Sequence, residues 1–124
     1  MLTYFAYGLA ILLDVLITVV GVRFLVAPKV AAAGYGVPAK DDGDGAYLAV
    51  KGVRDLSYGV LGLALLAFVG APAAAWFMLV VALAPLGDTV IVLRHGGTRA
   101  VAFGIHFATA VAVLLDAALL FALK

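Results

Sequence analysis

The sequence contains no cysteine and no glutamate, and charged residues make up only 12% of it. Without cysteine, the chain can form no disulfide, offers no thiol nucleophile and cannot ligate an iron–sulfur cluster. The net charge of +1 is uninformative, and because no feature of the sequence indicates nucleic acid we expect no nucleic-acid partner. Aspartate, histidine and the basic side chains are left as the candidates for chemistry.

Hydrophobic residues dominate the composition instead. They make up 67% of the 124 residues, and the mean hydropathy is +1.24. Soluble domains are about 45–50% apolar and about 25% charged. The composition therefore predicts an integral membrane protein, with the lipid bilayer as its partner. At about 20 residues for each helical span, the length allows one domain with about four spans.

Four apolar segments are long enough to cross a bilayer as helices. They cover about residues 3–27, 46–69, 73–93 and 100–123. The connection between the second and third segments is very short, which makes those two helices antiparallel neighbours. We expect an all-α, polytopic membrane protein in which residues 1–124 form a single four-transmembrane-helix bundle with a polar, charged interior site.

Prolines and glycines mark the ends and interruptions of these segments. Pro28 is expected to end the first span, and the glycine, proline and aspartate content of residues 28–45 predicts a loop. An alternative is that the segment around Tyr35 lies on the bilayer surface as a lid. The aspartate cluster at 40–44 lacks the spacing and closing glutamate of an EF-hand, so it is interpreted as a solvated loop. Pro85 is expected to kink the third span and widen a cavity.

The distribution of lysine and arginine predicts the orientation in the membrane. Six basic residues lie on one side, in or beside the long loop and the turn before the last span: Arg23, Lys29, Lys40, Lys51, Arg94 and Arg99. The other side has only Lys124. Because lysine and arginine accumulate in cytoplasmic loops, we expect both loops in the cytoplasm and both termini outside.

Charged residues interrupt the second apolar segment on one face of its helix. Lys51, Arg54, Asp55 and Tyr58 follow the i, i+3, i+4, i+7 spacing of a helical face. A charge at membrane depth costs at least about 2.5–3.5 kcal/mol unless it is paired or hydrated. This face is therefore expected to look inward, with Arg54 in contact with Asp55 or Asp88.

Polar groups on three helices are expected to meet at one depth, about 8–12 Å below the loop surface at 1.5 Å per residue. They are the candidate catalytic residues Asp55, Asp88, Arg54 and His106. The candidate substrate-binding residues are Lys51, Arg94 and His95 at the rim, with Asp14 and Tyr58 beneath the pocket. The alternative is an ion network that only fixes helix register. In a packing interpretation His106 bonds to a neighbouring backbone carbonyl or carboxylate, and Asp116 is hydrated near the opposite membrane surface.

Acid–base chemistry is the leading functional hypothesis. An aspartate in such a pocket can act as general acid or base, and Arg54 can stabilise a developing oxyanion. The protein would be a membrane enzyme or binding protein for a lipophilic small molecule, with epoxide opening, isomerisation or cyclisation as candidate reactions. None of these needs a redox cofactor. No HExxH motif, paired-histidine spacing or phosphate-binding glycine loop indicates a metal or another cofactor.

Transport is the rival hypothesis. Asp14 lies midway in the first span, as in a proton-coupled exporter similar to the small multidrug resistance proteins. Asp14 would then exchange protons against a cation, with the chain acting as a homo-oligomer. The basic residues expected in the interior argue against this hypothesis, because they would repel a cation. A third hypothesis is a structural or partner subunit.

Five motifs together resemble a family of small membrane proteins. They are Arg23-Phe24-Leu25-Val26-Ala27-Pro28, Gly34-Tyr35-Gly36-Val37-Pro38, Lys51-Gly52-Val53-Arg54-Asp55, Pro85-Leu86-Gly87-Asp88 and Arg94-His95-Gly96-Gly97. The family is the DUF4267 family, which comprises small four-helix bacterial membrane proteins and is catalogued only as a domain of unknown function. The resemblance covers nearly the whole chain. It implies a compact four-helix protein of the bacterial inner (cell) membrane and no established activity.

Overall fold

The computed structural model describes residues 1–40 and 43–123, and every regular element in these two ranges is a helix. The elements are α1 (Leu2–Val26), α2 (Pro28–Tyr35), α3 (Gly45–Phe68), α4 (Ala71–Val81), α5 (Leu83–Arg94), α6 (Arg99–Val101), a π-helical segment (Ala102–Phe107) and α7 (Ala108–Ala122). The all-α prediction is confirmed for the described residues.

Three helical stretches are long and apolar enough to cross a membrane. They are α1, the stretch Ala71–Arg94 formed by α4 and α5, and the stretch Arg99–Ala122 formed by α6, the π-helical segment and α7. Helix α3 also has 24 residues, but Lys51, Arg54 and Asp55 fall within every 18-residue window of it. The three apolar stretches are compatible with an integral membrane protein.

The outer surface of the helices is apolar. Large hydrophobic side chains such as Phe5, Phe68, Trp76 and Leu83 are exposed over more than half of their area. The core beneath them consists mostly of alanine. Large apolar side chains outside and small ones inside suit helices that pack closely on one another in lipid.

The chain after Pro28 is helical rather than a loop. Helix α1 ends at Val26, before Pro28, but Pro28 then starts α2, so the predicted loop 28–45 is wrong for its first eight residues. Proline fits at a helix start because the first N–H groups of a helix need no intrahelical partner. Gly36 ends α2 with a φ of 100°, a conformation that favours glycine. The short helix therefore holds Tyr35 at its last position.

The aspartate-rich segment after α2 is described only in part, because Asp41 and Asp42 lie outside the described residues. The backbone N–H of Lys40 donates to the Asp44 carboxylate at 3.1 Å. Asp44 itself has a φ of 68°, in the left-handed region that aspartate tolerates better than most residues. Asp44 thereby turns the chain into α3, and the solvated character of the segment stays a prediction.

Helices α1 and α3 pack against each other through glycines. A Cβ on Gly52 would lie 2.9 Å from the backbone oxygen of Gly21, and one on Gly59 would lie 2.5 Å from the backbone oxygen of Asp14. Further along α3, Gly62 leaves room for the carboxyl group of Asp14. Small residues allow helix backbones to approach closely in a membrane. This contact determines which face α3 turns toward the interior.

The second apolar stretch is interrupted at Ala82, between α4 and α5. Pro85 has no N–H, so the helical ladder loses a hydrogen bond about one turn earlier. The Thr89 hydroxyl donates to the Pro85 carbonyl at 2.8 Å. The interruption lies where the sequence predicts a kink, and both Pro85 and Asp88 line a cavity beside it.

Candidate functional site

A cavity of about 270 Å³ lies between the helices. Most of its lining is apolar, from residues such as Leu13, Ile17, Val81 and Val113. The polar side chains on its wall are Asp14, Tyr35, Asp55, Tyr58, Asp88, His106 and Thr109. The structure thus brings five of the nine predicted site residues to one cavity, namely Asp14, Asp55, Tyr58, Asp88 and His106.

Tyr35 covers the cavity from the end of α2. Its hydroxyl donates a hydrogen bond to Oδ2 of Asp88. Its ring packs edge-on against Phe24, with 5.5 Å between the ring centroids, and lies 4.2 Å from the ring of His106. Burial, followed by the negative charge of Asp88, raises the pKa of the Tyr35 hydroxyl far above its ordinary value. Tyr35 therefore stays protonated and serves as a donor.

One carboxylate oxygen of Asp88 is held by a hydrogen bond. Oδ2 accepts the Tyr35 hydrogen bond, while Oδ1 has no hydrogen-bond partner in the described part of the chain. The residue is half-buried and lies in α5, on the cavity wall. Its position three residues after Pro85 turns the carboxylate toward the space beside the helix interruption. A carboxylate with one fixed and one available oxygen can bind a donor or remove a proton.

His106 enters the cavity wall from the π-helical segment. Its Nε2 lies 2.7 Å from the carbonyl oxygen of Tyr35, and since a carbonyl can only accept, Nε2 carries the proton. In the neutral ring Nδ1 is then the acceptor. The ring is only 3% exposed. The bond to a carbonyl is the one that the packing interpretation expects, and it also ties the last stretch to the cover of the cavity.

Asp55 is paired with Lys51 and not with Arg54. The Lys51 ammonium lies 2.6 Å from Oδ2 of Asp55, and it also lies 4.2 Å from the ring centroid of Tyr35. Arg54 is exposed and forms no ion pair with a described residue, so its predicted contact with Asp55 or Asp88 is not formed. The reason is rotational: residues at i and i+4 share a helix face, whereas neighbours at i and i+1 do not.

Two further predicted rim residues lie away from the cavity. Arg94 and His95 are exposed at the end of α5, and neither lines the cavity. Nδ1 of His95 lies 2.9 Å from the carbonyl oxygen of Ile91, on the same helix. Depth along the membrane normal was the basis for placing them at the rim. It does not determine the direction in which a side chain leaves its helix.

Two further carboxyl groups, Asp14 and Asp116, are buried, and of the two only Asp14 lines the cavity. Asp14 is 2% exposed and lines the cavity, and Asp116 is 0% exposed. Oδ2 of Asp14 and both oxygens of Asp116 lack a hydrogen-bond partner in the part of the chain that the structure describes. The expectation that Asp116 is hydrated is wrong, because it lies on the face of α7 that carries the buried Val113 and Leu120.

Sequence reasoning missed two parts of this arrangement. The sequence predicts Tyr35 in a loop or a surface lid, because the glycines on both sides of it are typical of loops. In the structure a short helix ends at Tyr35. The π-helical segment has no marker in an otherwise ordinary apolar run. Such turns occur frequently at functional sites, and this one carries His106. Among residues 1–40 and 43–123, no cluster of three or more His, Cys, Asp or Glu side chains could hold a metal ion.

Comparison with known proteins gives a family but no activity. The model of a family described as a domain of unknown function (DUF4267) matches residues 15–120. No curated protein matches the chain, and no solved structure matches it. The site geometry is therefore the basis on which a function can be argued.

Proposed function

The chain belongs to the DUF4267 family, and from its cavity we propose that it binds a lipophilic small molecule between four membrane-spanning helices and performs acid–base chemistry on it. The observation that carries this proposal is the cavity itself. Most of its lining is apolar, yet carboxylates on α1, α3 and α5 and the imidazole of His106 reach it. Apolar walls with a few convergent polar groups are typical of small-molecule sites.

Helix α3 is proposed as the fourth span. Its 24 residues give about 36 Å at 1.5 Å per residue, which exceeds the roughly 30 Å hydrocarbon core. Its glycines pack on α1, and its charged face turns Asp55 inward against Lys51. Arg54 lies about 14 Å from the start of α3, within reach of the headgroups for a long basic side chain.

An orientation with both termini outside is proposed for the bacterial inner membrane. The α2–α3 connection and the turn before α6 lie at the same end of the protein, since a Cβ on Gly97 would be 2.9 Å from the backbone oxygen of Gly36. That end carries most of the lysine and arginine, including Lys40 and Arg99. Basic residues favour the cytoplasmic side.

Asp88 is the proposed proton acceptor. Its free Oδ1 can take a proton from the bound molecule while the Tyr35 hydroxyl stabilises the charge on Oδ2. Return of that proton to another atom of the same molecule completes an isomerisation or a cyclisation, and both balance without a redox partner. For an epoxide, Asp88 would take the proton from an attacking water as the water oxygen bonds to a ring carbon, and that proton would pass to the oxygen released when the ring C–O bond breaks, which gives a diol. Arg54 has no part in these steps, because its side chain is exposed.

Comparison of Asp88→Asn with Asp14→Asn tests the proposal. The purified protein is offered a panel of lipophilic epoxides and neutral isomerisation substrates, and turnover is followed by mass spectrometry. Asp88→Asn is expected to abolish turnover, because the amide keeps the shape but loses the basicity. Asp14→Asn should affect neutral substrates less. Asp44→Asn, outside the cavity, is the matched control and should retain full turnover.

A larger loss of turnover in Asp14→Asn than in Asp88→Asn would contradict acid–base chemistry at Asp88. If Asp88→Asn turns over every substrate at the parent rate, the catalytic role is wrong. If, in addition, vesicles containing the protein take up lipophilic cations in response to a proton gradient and Asp14→Asn abolishes that uptake, proton-coupled export replaces the proposal.

A further inference from the structure

Asp14 is the one carboxylate on the cavity wall that the described protein leaves without a donor. Asp55 accepts from the Lys51 ammonium, and Asp88 accepts from the Tyr35 hydroxyl. Oδ2 of Asp14 is buried with no partner. An unpartnered carboxylate away from water is costly, so a group that enters the cavity is the remaining source of a donor.

The Thr18 hydroxyl and Nε2 of His106 are already engaged elsewhere. The Thr18 hydroxyl donates to the backbone oxygen of Asp14 at 2.7 Å, and not to its carboxylate. Nε2 of His106 bonds the Tyr35 carbonyl. Asp116 lies within electrostatic range of Asp14 and carries the same sign of charge. Asp14 therefore has a second acidic group nearby, and no lysine or arginine is among the described residues that line the cavity.

The basic residues that would repel a cation lie outside the cavity. Arg54 and Arg94 are exposed and do not line it. The Lys51 charge is offset by Asp55 at 2.6 Å. From the sequence, these basic residues were expected inside the cavity, where they would repel a cationic ligand. Because they lie outside it, that repulsion is absent.

We infer that the ligand of this cavity is a small lipophilic amine whose protonated nitrogen binds the Asp14 carboxylate. This inference rests on the proposed function, since it names the class of molecule that the cavity takes. Asp14 precedes Phe24, the residue that packs on Tyr35, by ten positions on α1, or about 15 Å along the helix axis. The amine therefore sits at the end opposite Asp88, and an apolar body extends from it toward Asp88.

The cavity volume limits the size of this ligand. About 270 Å³ is below the usual range of about 300–1,000 Å³ for drug-sized molecules. A single aromatic ring on a short alkyl chain that ends in an amine is the matching probe. Phenylbutylamine has this form, and phenylbutanol is its neutral counterpart with a similar shape.

The test compares these two probes with the protein in lipid nanodiscs at neutral pH, by ligand-observed NMR and calorimetry. The parent protein is expected to bind the amine at least about tenfold more tightly than the alcohol. Asp14→Asn should lower the affinity for the amine to the affinity for the alcohol. Asp44→Asn is the matched control, since it removes a carboxylate that does not line the cavity, and it should keep the preference for the amine.

Each other outcome overturns the inference in a distinguishable way. Equal binding of both probes to the parent protein refutes the amine preference and leaves small-molecule binding in place. Loss of the preference in Asp44→Asn as much as in Asp14→Asn shows a diffuse electrostatic effect and not a site at Asp14. Binding of neither probe contradicts the inference together with the proposed cavity function.

A second variant keeps the inference testable if Asp14→Asn does not fold. Gly62→Ala retains the carboxylate but places a methyl group against it, since a Cβ at Gly62 would meet the Asp14 carboxyl group. It should lower the amine affinity several-fold and change the alcohol affinity little. An unchanged amine preference in a folded Gly62→Ala protein counts against binding at Asp14.

Discussion

The hydroxyl of Tyr35 donates a hydrogen bond to the carboxylate of Asp88, 53 positions away along the chain. The bond joins the short helix α2 to α5, and the same tyrosine offers its backbone carbonyl to His106. One residue therefore connects the cover of the cavity to two of its walls. Opening the cavity from this end requires that both bonds break.

The variant Tyr35→Phe is expected to destabilise the protein by about 1.5–3 kcal/mol, because a hydrogen bond to a charged acceptor is lost while the ring packing is kept. Thermal unfolding in detergent micelles measures the change. Tyr47→Phe is the control, since Tyr47 is 80% exposed and should be neutral. Equal stability of the Tyr35 variant and the parent would show that the bond contributes nothing.

The titration of Tyr35 should be suppressed in the folded protein. Burial and the charge of Asp88 raise its folded pKa above the unfolded value of about 10. A raised pKa gives stability that is complete below pH 10 and is lost as the pH rises toward the folded value. Tyr35 should therefore add no tyrosinate absorbance around pH 10 to the folded parent, compared with folded Tyr35→Phe. After denaturation the parent, with five tyrosines, should give about one quarter more signal than the variant.

Replacing Lys51 should cost more than replacing Arg54. Lys51→Met leaves the buried carboxylate of Asp55 without its ammonium partner, and the loss is expected to be about 1–3 kcal/mol. Arg54→Met removes an exposed side chain that pairs with no described residue, so its effect should stay within about 0.5 kcal/mol. Chemical unfolding of the two variants in the same detergent gives the comparison. A larger loss for Arg54→Met would contradict the pairing.

The glycines between α1 and α3 should tolerate no side chain. Gly59→Ala places a Cβ against the backbone of α1, and overpacking of this kind costs about 1–3 kcal/mol. Gly8→Ala is the matched control, because Gly8 is also helical and has open space around its Cβ position. It should be neutral or more stable by up to about 1 kcal/mol. Both values come from unfolding in micelles, and a stable Gly59→Ala protein would argue that the helices can separate freely.

Cysteine labelling in intact bacteria tests the proposed orientation. Single cysteines at Lys40 and Thr98 should react with a membrane-impermeant maleimide only after the cells are opened, because both positions belong to the end proposed as cytoplasmic. A cysteine at Ala71, at the opposite turn, should react from outside. The chain has no native cysteine, so no background labelling interferes. Labelling of Lys40 or Thr98 from outside would refute the orientation.

The parts of the site that could be predicted from sequence are those in which a charge interrupts an apolar run. Asp14, Asp88 and His106 stand out in that way, and all three line the cavity. The sequence also contains the i, i+4 spacing of Lys51 and Asp55, but the predicted partner of Asp55 was Arg54 and not Lys51. Counting depth along each helix gives the level of a residue and leaves its direction around the helix undetermined.

The remaining parts depended on backbone geometry that composition does not reveal. Proline and glycine at both ends of α2 favoured a loop, although proline can start a helix and glycine can end one. Tyr35 was therefore not recognised as a site residue. Asp116 was placed near water from its distance to the chain end, yet its face of α7 is buried. In both cases packing between helices decided the outcome.

The π-helical segment at Ala102–Phe107 has a consequence for insertions and deletions in this chain. A π turn contains one residue more than an α turn, and one residue corresponds to about 100° of rotation around a helix. A deletion of one codon between Ala102 and Ile105 would remove this extra residue and restore an uninterrupted α-helix. The side chains inside the π turn would change direction, so His106 would leave the helix differently although no residue had been substituted. The length of this one turn is thus as much a determinant of the cavity as the identity of any residue in it.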